Sequence, residues 1–397
     1  LAPAPPQPLI DLVSRFDPET FDLGRREARI RIVGAAEEDY DVLLDGQPPR
    51  LESASESRPD ALLRADARTW AQIAEDVRGG MTAFQRGRLA IRYDLHLGVG
   101  FLAATAASGE HGLRLREVET AIGPLSISEA GTGTPVLMIH GLGATKVSFL
   151  PTLAALAGTH RCIAVDLPGF GDSVKPIRAR YDARFFARAM VGLLDALELE
   201  RAHLVGNSMG GRVALEVGLS APDRVGRLAL LAPSLAWLRN RPWAPLLRLV
   251  APQLGLLQPA PRAIVEAIVK RVVPGGRDEW TAAGIDEFLR SYLTPRGRAA
   301  FYAAARNIYL EEPHGEHGLW TRLPALEPPS LFVWGRRDAL VPLAFERHVR
   351  QALPDSRHLV LNCGHVPQLE RPQQTHEAIL RFFQDSGPQA SGRAGRS

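Results

Sequence analysis

Ser208 sits in Gly206-Asn207-Ser208-Met209-Gly210-Gly211, with one glycine two places before it and another two places after. A serine hydroxyl becomes an acyl-transfer nucleophile when a base takes its proton and an acid partner fixes the base in one tautomer. The spacing alone is weak, because a chain with 36 glycines supplies it by chance. Context gives it weight. The apolar run AHLV before it reads as a strand, and MGGRVALEVGLSAP after it reads as a helix with Val213, Ala214 and Val217 on its apolar side. A serine on the turn between the two is held in a strained conformation, and at Gly206 and Gly210 a Cβ would collide with nearby backbone.

That reading demands a base and an acid at later strand ends. Asp338 follows a buried run and a glycine turn in LFVWGRRDALVP, and His365 follows the last apolar run in RHLVLNCGHVPQLERP. The other acids are worse placed: Asp223 lies in a helix-to-strand connection, Asp278 and Asp286 in a long insertion, and Asp355 ahead of the final strand. Among the histidines, His314 and His317 fall in a polar loop, His348 in a helix, and His358 at the start of a strand. Two backbone amides complete the chemistry by holding an oxyanion: that of Met209, and that of Leu142 in the glycine loop MIHGLGAT. Removing one such donor typically costs about 2.7 to 4 kcal/mol of transition-state stabilisation. His140 precedes this loop and is expected to fix it by hydrogen bonds rather than to act as a base.

These residues need strands to carry them. From Glu117 onward strands and helices alternate: an opening hairpin in ETAIGPLSISEAG, then PVLMIHG, RCIAVDLPG, AHLVGNS, RLALLAP, LFVWGRRD and RHLVLNCGH. Short apolar runs separated by helices imply an α/β fold with a mainly parallel, doubly wound sheet. Ligands of such sheets sit at the carboxyl ends of the strands, where Ser208, Asp338, His365 and the loop of Leu142 fall. Almost a hundred residues separate the strands ending near Pro233 and beginning near Leu331, too many for a plain connection. The insertion contains the helical patterns PRAIVEAIVKRVV, DEWTAAGIDEFLRSYL and RGRAAFYAAARNIYL, so it forms a subdomain over the site.

Five ordered pieces, HGLG at 140–143, DLPGFGDS at 166–173, GNSMGG at 206–211, WGRRDALVP at 334–342 and CGHVPQLERP at 363–372, resemble the α/β-hydrolase family over about residues 117–385. The resemblance implies a triad of Ser208, Asp338 and His365, in that family's chain order, and a helical cap from about 234 to 329. Similar dehalogenase and epoxide hydrolase branches carry aspartate where Ser208 stands, which disfavours their chemistries. Serine leaves the hydrolysis of carboxylic esters, with lipophilic acyl esters as the lead. Carbon-carbon hydrolysis of ring-cleavage products is the alternative, though no clear polar pair for that substrate's acid group is visible. Trp237, Trp243, Leu246, Leu247, Leu249, Leu254, Leu256 and Leu257 crowd one part of the cap. Most are expected to pack the cap on the main domain, and a few to line an apolar acyl pocket.

Ahead of this domain, residues 21–112 show strands first and helices later: ARIRIVG, YDVLLDG and ALLRAD, a helix from Ala67 to Val77, the strand GRLAIRYD and a helix through LGVGFLAATAA. This is an α+β pattern. The stretch from DALLRAD to GRLAIRYD resembles the sterol carrier protein family, which implies a sheet-and-helix sandwich with a lipid or sterol ligand. A small packing or interaction module that binds no lipid stays equally open, as does a lipid carrier with a vestigial hydrolase domain. Residues 1–20 and 386–397, rich in Pro, Gly, Ser and Ala at their outer ends, are expected to be flexible.

Composition narrows the partners. The 397 residues are 45% hydrophobic and 23% charged with net charge +3, ordinary globular values. Arginines are interspersed with acids rather than gathered in a stripe, so no nucleic-acid face is expected. Cys162 and Cys363 form neither a disulfide framework nor a metal set, and neither a metal nor another cofactor is expected. The opening LAPAPPQPLIDLV lacks the basic and long apolar regions of a signal peptide, and no run of about 18 apolar residues could span a membrane. The expectation is a soluble cytoplasmic enzyme in transient contact with lipid surfaces at most, with a mature form that has shed a leader left open.

Overall fold

The computed structural model describes residues 4–21, 27–45, 48–75, 83–84, 87–106, 112–236, 263, 267 and 278–385. Thirteen strands among them form two sheets. The smaller holds β1 (Ala28–Val33), β2 (Tyr40–Leu44), β3 (Arg50–Ser53), β4 (Ala61–Arg64) and β5 (Ala90–Arg92), in the order β3-β2-β1-β4-β5. The larger holds β6 (Arg114–Val118), β7 (Leu125–Ala130), β8 (Thr134–Ile139), β9 (His160–Val165), β10 (Ala202–Asn207), β11 (Val225–Leu231), β12 (Ser330–Gly335) and β13 (Arg357–Leu361), in the order β13-β12-β11-β10-β8-β9-β7-β6. Only the β6–β7 and β7–β9 pairings of the larger sheet are antiparallel.

In chain order the helices are α1 (Gln7–Ser14), α2 (Ala67–Glu75), α3 (Leu95–Ala104), α4 (Leu150–Leu156), α5 (Ala183–Ala196), α6 (Met209–Ser220), α7 (Asp278–Tyr292), α8 (Pro295–Tyr309), α9 (Leu319–Arg322), α10 (Phe345–Ala352), α11 (Pro367–Glu370) and α12 (Pro372–Gln384).

The larger sheet is buried on both faces, which explains its continuous apolar strands. Leu137, Leu204, Leu228, Leu230, Phe332 and Trp334 point into one core with residues of α5, α6 and α8. Their neighbours Val136, Met138, Val205, Ala229, Leu231 and Val333 point into a second core with Phe149, Leu153, Ile379 and Phe382. Side chains of a strand alternate between its faces, so each strand feeds both cores.

The smaller sheet is one-sided. Ala28, Ile30 and Ile32 of β1 are buried with Val42, Leu63, Trp70 and Val99, whereas Arg29 and Arg31 face outward and grip Asp41 at 2.9 and 2.8 Å. Burial alone would raise the Asp41 carboxyl, but Arg31, the Ser55 amide and Arg29 outweigh it and hold it at about 2. A depressed carboxyl stabilises the fold above its unfolded value and loses that contribution as pH falls through the folded one. Stability should therefore drop by roughly 2 kcal/mol between pH 4 and pH 2 on this account. Urea unfolding across that window should show a shallower pH slope in Asp41→Asn.

Several boundaries differ from expectation. Residues 1–20 are not uniformly flexible, because α1 buries Leu9, Leu12 and Val13 in the core of the smaller sheet. The opening hairpin starts earlier, at Arg114, and β3 is an added edge strand with exposed Arg50, Glu52 and Ser53. α2 is described only to Glu75, so the expected continuation to Val77 lies outside the described residues, as do the first cap pattern, PRAIVEAIVKRVV, save residues 263 and 267, and Trp237, Trp243 and the six cap leucines. No helix among the described residues is long and apolar enough to cross a membrane.

Candidate active site

Ser208 stands between β10 and α6 with φ 54° and ψ −117°, in the left-handed half of backbone space. Such a conformation costs a side-chain-bearing residue about 1 to 3 kcal/mol and must be held from outside. Here the Ser208 amide donates to Leu231 O at 3.0 Å, and Ser208 O accepts from Ser234 N at 2.9 Å and Arg212 N at 3.1 Å. The glycines answer crowding: a Cβ at Gly206 would lie 2.4 Å from Gly210 O, and one at Gly210 would lie 2.0 Å from Ile139 O.

Asp338 and His365 lie just past β12 and β13, which pair in parallel. Their two loops are laced together, with Arg336 N donating to Leu361 O at 2.8 Å and Arg337 N to Cys363 O at 2.9 Å. At Gly335 a Cβ would stand 1.9 Å from Gly364 O, so this approach needs glycine. The structure brings the acid and the base together: His365 Nδ1 lies 2.8 Å from Asp338 Oδ2, both side chains being buried. Asp338 Oδ1 accepts from the amides of Leu340 and Val341 at 2.8 and 2.9 Å, which leaves Oδ2 to orient the imidazole.

Among the described residues no hydrogen bond joins Ser208 Oγ to His365. The Oγ partner is Tyr309 OH, at 3.5 Å, from the last turn of α8. Burial raises the Tyr309 phenol, which stays neutral and able to donate at neutral pH. Contacts between a serine nucleophile and its base are often loose before substrate binds.

The Met209 amide opens α6, where a backbone N–H has no intrahelical acceptor, and the Leu142 amide donates to no described residue. The loop carrying Leu142 packs against Ser208, since a Cβ on Gly141 would lie 3.3 Å from Ser208 Cβ. His140 secures that loop: its Nε2 accepts from Leu167 N at 2.9 Å, which places a proton on Nδ1 for Gly141 O at 2.8 Å. Burial lowers the His140 imidazole and keeps it neutral in this linking role. The Met209 side chain is fully buried in a core cluster.

Three contributors escaped the sequence reading. Tyr309 lies about a hundred residues downstream, on an inserted helix without a local motif. Asn207 Nδ2 donates to Leu231 O at 3.0 Å and His365 O at 3.2 Å, tying the His365 backbone to the Ser208 turn. Glu370 accepts from Gly364 N at 2.8 Å and Val366 N at 3.1 Å, bracketing His365. Beside the donor loop, Phe170, Phe288, Tyr292 and Phe301 enclose about 10 Å³ against Gly143 and Ala144, room for a single water. A larger cavity of about 400 Å³ is lined by Arg180, Arg212, Glu216, Glu311 and Arg322 among others, and by none of Ser208, Asp338 and His365.

Residues 134–372 match the family described as the alpha/beta hydrolase fold. The chain belongs to the alpha/beta hydrolase family. This hydrolase is 32% identical over 259 residues to the dihydrolipoyllysine-residue acetyltransferase component of an acetoin cleaving system from Pseudomonas putida, matching 63% of this chain and 64% of that protein. The match thus spans less than two thirds of that relative. It is 28% identical over 286 residues to 2-hydroxymuconate semialdehyde hydrolase from Pseudomonas sp. (strain CF600), across 68% of this chain and 94% of that enzyme. Among solved structures, a bacterial membrane phospholipase A superposes with a TM-score of 0.58 at 28% identity, covering 68% of this chain and 86% of the phospholipase.

Proposed function

We propose that this hydrolase is a serine carboxylesterase of lipophilic esters, working through an acyl-enzyme on Ser208. The observation that carries the reading is the strained Ser208 turn beside a buried His365–Asp338 pair. Ser208 Oγ attacks the ester carbonyl while His365 Nε2 takes its proton. Negative charge on the carbonyl oxygen falls to the Leu142 and Met209 amides. Collapse expels the alcohol, which leaves with the proton from His365, and water activated by the same imidazole then attacks the acyl-enzyme and releases the acid. Asp338 holds the Nδ1 proton throughout and stabilises the imidazolium.

A second reading, carbon-carbon hydrolysis, draws support from the hydroxymuconate semialdehyde hydrolase matched over nearly its whole length. The wall beside the donor loop favours the ester: among the described residues it is lined by Phe170, Phe288, Tyr292 and Phe301 and by no cation. For the N-terminal unit, the sterol-carrier resemblance and the fully buried apolar helix α3 support a part in handling the apolar substrate. A carrier with a vestigial hydrolase domain would not react with mechanism-based probes. Two free buried thiols, Cys162 and Cys363, fit the cytoplasm.

A fluorophosphonate probe followed by peptide mapping should place the adduct on Ser208. Turnover of p-nitrophenyl acyl esters should exceed that of vinylogous diketone acids. An unlabelled folded protein would sink the serine mechanism, and the opposite substrate order would replace the ester with the carbon-carbon reading.

A further inference from the structure

We infer that the N-terminal unit sets the substrate-size selectivity of the active site by tethering α7, the helix that walls the pocket beside the oxyanion loop. The inference rests on the ester reading of that site. One face of α7 belongs to the N-terminal unit. Ala283 is buried in that unit's core, and Asp286 accepts from Arg92 Nε at 2.6 Å and from the Tyr93 amide at 3.0 Å. Tyr93 has φ 72°, a conformation unfavourable to an aromatic residue, and in it the amide meets Asp286. Arg290, a turn further on, lies 3.6 Å from Asp94, the residue that caps α3, and pairs with Asp172 at 2.7 Å and Glu287 at 2.7 Å. Asp172 belongs to the hydrolase core, so Arg290 ties three parts of the chain.

The other face of α7 belongs to the site. Residues two apart on a helix project to opposite sides, so the Asp286 that grips the N-terminal unit turns Phe288 toward the oxyanion loop. Phe288 stacks on Tyr292 with centroids 5.0 Å apart and meets Phe301 of α8 edge-on at 5.6 Å. A Cβ on Gly143 would lie 2.9 Å from the Phe288 ring, which shows how closely this wall presses on the loop that carries Leu142. The space holds only a single water, so an acyl chain can enter it only if α7 or α8 yields. Arg92, Tyr93 and Asp286 set how readily α7 does so, and act as positioning residues.

The test uses the intact chain, with Arg92→Met and Asp286→Asn as tether variants and Phe288→Ala as the local benchmark. Asp286→Asn keeps its shape and an acceptor for Tyr93, so it serves where Arg92→Met fails to fold. The ratio of kcat/KM on p-nitrophenyl octanoate to that on p-nitrophenyl acetate should rise about tenfold in both tether variants, in the same direction as in Phe288→Ala. Labelling of Ser208 by a small fluorophosphonate should hold its wild-type rate, and amide hydrogen exchange across α7 should quicken. A selectivity ratio unchanged in the folded tether variants but shifted in Phe288→Ala overturns the inference and leaves the esterase standing. A wild-type protein that turns over no ester removes the esterase reading, and exchange at α7 then decides alone: no change on cutting the tether overturns the inference, and faster exchange upholds the tether.

Discussion

Ser208→Ala should lower ester turnover about a millionfold, and Asp338→Asn about ten-thousandfold, with both proteins folded. The first change removes the atom that forms the acyl-enzyme. Because Ser208 Oγ has only a 3.5 Å contact with Tyr309, its loss should leave stability near wild type or raise it slightly, as alanine inherits the strained backbone but not the desolvated hydroxyl. The second change acts through geometry. Asp338 Oδ1 is claimed by two amides, so an asparagine must present its carbonyl oxygen there and its NH2 to His365. The imidazole then accepts at Nδ1 and carries its proton on Nε2, the wrong tautomer for taking one from Ser208. Stopped-flow assay with a p-nitrophenyl ester measures both variants. An Asp338→Asn protein within tenfold of wild type would remove Asp338 from the mechanism.

The parts of this site that were legible are those whose residue type is forced by close approach of backbone. Gly206 and Gly210 flank a serine that cannot be bracketed otherwise, and Gly335 permits the contact that brings the Asp338 and His365 loops together. Each glycine stands within a few residues of the side chain it serves, although the backbone that Gly210 and Gly335 clear belongs to other loops, at Ile139 and Gly364, and the alternation of strands and helices then locates these marks at one sheet edge. Tyr309, Asn207 and Glu370 act across the fold, and their neighbours in sequence do not require them. A tyrosine in FYAAARNIYL looks like any helical aromatic until α8 is laid over β10.

The smaller sheet shows a different limit. In β1 burial follows the period-two pattern of the sequence, whereas in β2 the outward Asp41 is buried as well, under Arg29 and Arg31. Helix α1 was overlooked because prolines dominate its approach, although Leu9, Leu12 and Val13 have the helical spacing that buries one stripe. The tether from Arg92 to Asp286 spans 194 positions, and nothing in either local sequence announces its partner. Long-range ion pairs are specified by where elements pack, and that information is spread over the whole core.

The same holds for Lys146, where the largest stability change is expected: Lys146→Met should cost about 3 to 5 kcal/mol. Lys146 follows the oxyanion loop and is fully buried. Its Nζ lies 2.7 Å from Asp166 Oδ2 and its amide 2.7 Å from Asp166 Oδ1. The Asp172 amide adds a third bond at 3.0 Å, and Gly171 is obligatory because a Cβ there would sit 2.1 Å from the carboxylate. Burial opposes charge on both partners, yet mutual attraction wins: Asp166 is lowered and Lys146 raised, so the pair is ionised throughout the neutral range. Methionine would fill the space but leave a buried carboxylate with amide donors alone, and the freed Asp166 should rise above its unfolded value. A raised carboxyl stabilises the fold fully below its unfolded pKa and loses that contribution as pH rises through the folded one. The deficit of Lys146→Met should therefore be largest at neutral and alkaline pH and shrink toward pH 4, measured by urea unfolding across that range. A deficit independent of pH would mean that packing, not charge, is what Lys146 contributes. Because Lys146 also lies 3.7 Å from Asp172, which holds Arg290 of α7, the variant should slacken the oxyanion loop and the cap helix together.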